Sequence, residues 1–72
     1  KKLKIQYIEK NVMAAQMPTD ANIRFELATI AERLYDVQAA ASWYQAALAL
    51  DPNHQAATAA LNDLPPARQP AN

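Results

Sequence analysis

Residues 44–53 read YQAALALDPN, an alanine- and leucine-rich run closed by Asp-Pro. Upstream of it, apolar residues recur at intervals of three and four, which predicts a helix over residues 37–50. Asp51 and Pro52 end that helix, because the residue before a proline avoids helical backbone angles. Another proline, Pro18, lies 34 residues earlier in a similar setting. A period of this length is typical of helical repeat proteins.

The preceding segment predicts an antiparallel partner for this helix. Over residues 19–34 apolar residues again recur at helical spacing, and Thr19 or Asp20 provides the N-cap. Only Tyr35 and Asp36 separate the two helices, and so short a connection makes them antiparallel neighbours. Small residues let the two backbones approach closely: Ala28, Ala31, Ala40 and Ala47. We therefore expect a helical hairpin.

Two flanking helices and a tail complete the predicted organisation. Residues 1–17 form an N-terminal helix with a basic start, helical from Lys2 to Gln16. Its apolar side holds Leu3 or Ile5, then Ile8, Val12 and Ala15. Residues 19–64 hold the hairpin and a short capping helix, roughly His54 to Leu64, with Asn53 as its N-cap. Residues 65–72 carry three of the five prolines, so we expect an extended or disordered tail.

The hairpin resembles a tetratricopeptide repeat, a helix-turn-helix unit of 34 residues. The matching positions are Leu27 and Ala28 in the first helix, then Ala40, Tyr44, Ala47 and Pro52. The sequence departs from the family at Arg24 and Ala31, where the family has aromatics, and at Tyr35, where it has glycine. The resemblance covers Ala21 to about Leu64. It implies an all-α fold: an antiparallel hairpin of this type with an N-terminal helix and a short C-terminal capping helix.

The composition argues against an enzyme. The chain has no cysteine, no glycine and one histidine, so neither a zinc site, a calcium loop nor a glycine-rich phosphate loop is recognisable. Glu26 and Glu32 are six residues apart and lie on different faces of a helix, so they do not form a catalytic pair. We expect no catalytic residues, no cofactor, no metal and no small-molecule substrate. The chain has seven basic and seven acidic residues, so it lacks the net positive charge typical of nucleic-acid-binding proteins.

A partner-binding surface is implied by the resemblance, because ligands of tetratricopeptide arrays usually lie along the first helices. The corresponding positions are Asn22, Phe25, Thr29, Glu32, Arg33, Asn53 and His54. Phe25 lies off the apolar stripe of its helix, so it is either a partner anchor or packs on the N-terminal helix. Trp43 has two interpretations as well, a core-edge role or a partner contact. Tyr44 is expected in the core, and His54 in a solvated turn.

The favoured function is a non-enzymatic protein–protein interaction module, acting as scaffold, adaptor or accessory subunit of a larger assembly. The alternative is a peripheral membrane-associated subunit whose Lys1, Lys2 and Lys4 lie near anionic headgroups. No apolar run is long enough to span a membrane, so we expect a soluble segment. Because the chain begins without methionine, we expect a processed product or a segment of a longer protein, for which a secreted or membrane-anchored chain is one option. Its compartment stays open.

Overall fold

The computed structural model describes residues 2–64, apart from the side chain of Leu3. The described residues form four helices, which are α1 (Lys2–Gln16), α2 (Ala21–Arg33), α3 (Val37–Leu50) and α4 (Gln55–Asp63). The predicted all-α fold class is confirmed, with α2 and α3 forming a helical hairpin between neighbouring helices α1 and α4. Lys1 and the tail predicted over residues 65–72 lie outside the described residues.

Aspartates cap both helices of the hairpin. The Asp20 carboxylate accepts a hydrogen bond from the Ile23 backbone N–H at 3.2 Å, and Asp36 accepts one from Ala39 at 3.0 Å. Each bond satisfies one of the backbone donors left unpaired at a helix start. The structure therefore selects Asp20 over Thr19 as the cap of α2.

The cap of α4 differs from the prediction. The N-cap is His54, whose Nδ1 accepts a hydrogen bond from the Ala57 N–H at 3.1 Å, and not Asn53. The reason is the preceding turn, in which the Asn53 N–H donates to Asp51 Oδ1 at 3.1 Å and the His54 N–H to the Asp51 carbonyl at 3.0 Å. This turn occupies Asn53, so α4 begins one residue later, at Gln55.

Tyr35 forms the bend between α2 and α3 with a left-handed backbone, φ 63°. Its N–H donates to the Glu32 carbonyl at 2.9 Å, and the Asp36 N–H donates to the Ala31 carbonyl at 2.9 Å. These two bonds are those of a Schellman motif, which satisfies the last carbonyls of a helix and usually has glycine at the left-handed position. Tyr35 therefore occupies the left-handed position of this bend, where glycine is the usual residue.

The core lies along the seam between α2 and α3. Tyr44 and Leu27 are the largest fully buried side chains, at 1% and 0% exposed. Most of the remaining buried positions are small: Ala14, Ala28, Ala31, Ala40, Ala47 and Ala57. The four alanines predicted to bring the hairpin backbones together are all among them. The core therefore consists mainly of small residues, which let the backbones of α2 and α3 lie close together around the ring of Tyr44.

Polar contacts attach α1 to the hairpin. The Trp43 indole donates to the Tyr7 hydroxyl at 2.7 Å, joining α1 to α3. Lys10 pairs with Glu26 of α2, and Ala14 of α1 is buried against α2. Trp43 is partly buried and packs against the core, which is the core-edge role considered from the sequence.

The apolar side predicted for α1 does not face the hairpin. Ile5, Ile8 and Val12 are 56%, 62% and 53% exposed, and Ala15 is exposed as well. An amphipathic helix ordinarily buries its apolar side. Instead α1 turns Tyr7 and Ala14 towards α2 and α3 and leaves its aliphatic side uncovered within the described residues.

Candidate partner-binding surface

Helix α2 presents most of the candidate surface. Asn22, Phe25, Thr29 and Glu32 follow one another at intervals of three and four, so they lie along one face of the helix. Arg33, the last residue of α2, is exposed beside them. The five candidates from α2 thus form one strip about three turns long.

His54 joins the start of this strip to α4. Its Nε2 lies 2.9 Å from Asn22 Oδ1, and its Nδ1 accepts the backbone N–H of Ala57. A neutral imidazole has one N–H, so the acceptor role of Nδ1 puts the proton on Nε2, which then donates to Asn22. The expectation that His54 is a solvated turn residue is wrong: it is partly buried and holds two helices together.

Phe25 lies between His54 and the core. Its ring centroid is 5.1 Å from that of His54 and 5.6 Å from that of Tyr44, both within the range of aromatic pairs. The expectation that packing within the hairpin does not explain Phe25 is wrong, because its ring is partly buried against the core cluster around Tyr44. Sequence periodicity missed this contact, because Phe25 lies beside the apolar stripe of α2 and its ring partners, Tyr44 on α3 and His54 before α4, are distant in sequence.

Glu32, near the C-terminal end of the strip, is hydrogen-bonded to Tyr44 of the core. The Tyr44 hydroxyl donates to Glu32 Oε1, so a core phenol ends at a carboxylate on the surface of α2. Burial raises the pKa of the Tyr44 phenol well above its usual range, and the hydrogen bond to Glu32 and the charge of that carboxylate raise the pKa further. The phenol therefore stays protonated and acts as a donor.

The remaining candidates make only local contacts. The Thr29 hydroxyl donates to the Glu26 carbonyl one turn earlier, at 2.8 Å. Asn53 is exposed in the turn before α4. The structure thus connects Asn22, Phe25 and His54 directly and leaves Thr29, Arg33 and Asn53 as separate groups near them.

Sequence reasoning missed Arg24, a residue of α2 that joins this helix to α1. The Arg24 guanidinium donates to the carbonyls of Ala14, Met17 and Asp20 at 3.0 to 3.1 Å, and so holds the end of α1 against the start of α2. Cations near a helix C-terminus stabilise its unpaired carbonyls. Arg24 stands five residues beyond the Pro18-Thr19 turn, and that placement was the available signal.

The part of the chain that the structure describes assembles no cluster of metal-binding side chains. Over residues 2–64, no three His, Asp or Glu side chains come close enough together to hold a metal ion. Nor does any helix among them have the length and apolar character needed to cross a membrane. What the surface offers is a partly exposed aromatic ring, an imidazole, two carboxamides and charges of both signs.

No family model, curated protein or solved structure matches the chain. The resemblance to tetratricopeptide repeats therefore stays a prediction from the residue pattern.

Proposed function

We propose that this chain is a protein-interaction module of tetratricopeptide type that binds a segment of another protein along α2. The role is that of a scaffold, adaptor or accessory subunit. The observation that carries the proposal is the joined cluster of Asn22, Phe25 and His54 at the head of the α2 strip.

The cluster combines the features that protein-binding surfaces favour. Phe25 is partly buried against Tyr44 and His54, so its ring is held in one place while part of the residue remains exposed. A positioned aromatic ring loses little conformational freedom on binding, and such rings are frequent anchors at interfaces. The hydrogen bond between His54 and Asn22 fixes two polar groups beside that ring.

Charge along the strip adds selectivity. The strip ends in Glu32, which is bound to Tyr44, and Arg33, which is exposed. An acidic and a basic group one residue apart favour a ligand with charges in matching order. We therefore expect the bound segment to carry an acidic residue opposite Arg33.

Arg33 gives the cleanest test, because replacing Phe25 or His54 also removes internal packing. Peptides selected for binding to the 72-residue chain from a random displayed library are measured against variants by calorimetry. We expect Arg33→Glu to weaken binding of the selected peptides about tenfold or more, the size of effect typical of a charged interface pair.

Lys2→Glu is the matched control, since it makes the same charge change at an exposed cation of a different helix, α1. It should leave peptide affinity unchanged, and circular dichroism should show both variants folded. If Arg33→Glu and Lys2→Glu affect binding equally, or if no peptide is selected, the proposal is wrong.

A further inference from the structure

Helix α1 carries an apolar surface that the chain's own fold does not use, on a different helix from the α2 strip. We define the α1 stripe as Ile5, Ile8, Val12 and Ala15, all of them exposed. The three large members are each more than half exposed. Single exposed aliphatic residues are common, but a continuous row of them usually marks an interaction site.

The stripe is free to meet a partner because the attachment of α1 uses the opposite side of the helix. Tyr7, Lys10 and Ala14 make the contacts with α2 and α3. At 100° per residue, the centre of that contact face lies about 150° around the helix from the centre of the α1 stripe. The stripe is therefore available to a second helix, and Ile8 alone among its members also lines a cleft with Ala31 and Leu34 of the hairpin in the described residues.

The spacing of the stripe is that of a coiled-coil seam. The steps from Ile5 to Ile8, to Val12 and to Ala15 are three, four and three, which place these residues at successive a and d positions of two heptads. β-branched residues stand at both a positions, Ile5 and Val12, as in parallel two-stranded coiled coils, but the d positions hold Ile8 and Ala15 instead of leucine. The apolar residues thus predict a coiled-coil seam without fixing the number of helices, and the flanking charges carry the choice of partner and orientation.

The charges beside the stripe identify the partner. Lys4 and Glu9 are exposed on its two flanks, at g and e positions of this heptad frame. In a parallel pair, a g residue faces the e residue five positions later on the other helix. Lys4 then meets Glu9 of the second copy, and by symmetry Glu9 meets the second copy's Lys4. We propose that the α1 stripe is the interface of a parallel homodimer of this chain.

An anionic membrane is the other surface that this helix could contact, and the charges favour it less. Lys2 and Lys4 suit lipid headgroups, but Glu9 flanks the same stripe and would be repelled by them. Lys10 is already paired with Glu26. A partner helix with both charge signs fits both flanks, and a second copy supplies it.

Sedimentation equilibrium of the 72-residue chain from about 10 µM to about 1 mM tests the proposal. Two heptads bury less area than the roughly 800 Å² per partner of a standard interface, so we expect a weak dimer that forms within this range. The weight-average mass should rise from 7.9 kDa towards twice that value. A constant monomer mass up to the highest concentration overturns the proposal.

Two variants of similar chemistry separate this interface from general stickiness. Ile8→Glu places a charge within the stripe and should abolish the rise in mass. Met13→Glu introduces the same side chain at an exposed apolar residue on another face of α1, and should leave the dimer intact. Equal loss in both variants would assign the association to nonspecific contacts.

Charge reversal tests the parallel register and does not depend on the apolar substitutions. Glu9→Lys should weaken the dimer about tenfold, because it sets lysines opposite each other, and adding Lys4→Glu should restore it. An antiparallel pair does not bring Lys4 and Glu9 together, so absence of rescue overturns the assigned register. If the chain stays monomeric and instead pellets with vesicles containing 30% phosphatidylserine, the α1 stripe binds lipid and the dimer proposal is wrong.

Discussion

At the level of single residues, Tyr44 connects the buried core to the surface through its hydroxyl group. Its ring fills the centre of an alanine-rich core, and its oxygen reaches Glu32 at the surface. Removing the whole ring, as in Tyr44→Ala, should cost about 3 kcal/mol or more. For so small a domain that loss means unfolding.

The raised pKa of Tyr44 predicts a loss of stability in alkali. Below about pH 10, the ordinary tyrosine pKa, the phenol is protonated in both the folded and unfolded states and stability does not depend on its titration. Above that pH the unfolded chain releases this proton and the folded chain does not. The free energy of unfolding should therefore fall by about 1.4 kcal/mol per pH unit.

Urea unfolding of the wild type and of Tyr44→Phe between pH 8 and 11.5 measures this effect. The variant lacks the bond to Glu32 and should be about 1 kcal/mol less stable at pH 8. It should then lose less stability than the wild type in alkali, because it has no phenol at position 44 to release a proton on unfolding. Parallel curves for the two proteins would contradict the prediction.

Tyr35 predicts a stabilising substitution. The side chain is 92% exposed and the backbone is left-handed, a conformation that glycine adopts without the steric cost that a Cβ imposes. Tyr35→Gly should raise stability by about 1 kcal/mol, which corresponds to about 4–8 °C in melting temperature. Tyr35→Ala keeps the Cβ and serves as the control, so an equal gain in both variants would refute the backbone argument.

At the scale of elements, the sequence predicts the helices well and the orientation of α1 poorly. The bounds of α1 and α3 follow from apolar spacing and from the prolines, and the hairpin from the two-residue connection. The face of α1 that packs on the hairpin does not follow from apolar spacing, because α1 has an aliphatic side and a second side that carries Tyr7 and Ala14. Its aliphatic side has the stronger periodicity, but the contacts of Tyr7 and Arg24 join residues far apart in sequence and decide the orientation.

The same distinction applies to the candidate surface. The strip on α2 was predictable, since one helix sets the spacing of Asn22, Phe25, Thr29 and Glu32. The role of His54 was not, because its bond to Asn22 spans 32 residues and depends on how α4 returns to α2. Local patterns predict faces of helices, and the packing of distant elements determines which faces become joined.

Arg24 should control the docking of α1. Arg24→Met keeps much of the side-chain length but removes the donors that hold the carbonyls at the end of α1. We expect the local free energy of opening of α1 to drop by about 1–2 kcal/mol, with α3 less affected. Hydrogen exchange of individual amides measures the two helices separately.

The control is Arg33→Met, which removes the other arginine of α2 from an exposed position. It should leave exchange in α1 unchanged. Equal loss of protection across α1 and α3 in Arg24→Met would mean that the chain opens as one unit and that Arg24 has no separate role.

At the scale of the whole molecule, the core is small. Its buried positions are mainly alanines, which contribute little apolar area, around Tyr44 and Leu27. Apolar burial in chains of about 70 residues barely exceeds the entropy lost on folding. We expect a low, broad thermal transition by circular dichroism at micromolar concentration. A sharp transition above about 70 °C would show that the chain needs no further contact to be stable.

The hydrogen bond between Trp43 and Tyr7 gives the molecule a built-in optical probe. Trp43 is the one tryptophan of the sequence, and its indole lies where α1 meets α3. Detachment of α1 would expose the indole to water and shift its fluorescence to longer wavelength while most of the far-ultraviolet ellipticity remained. Emission and ellipticity recorded together would thus resolve the undocking of the first helix from the melting of the hairpin, without any added label.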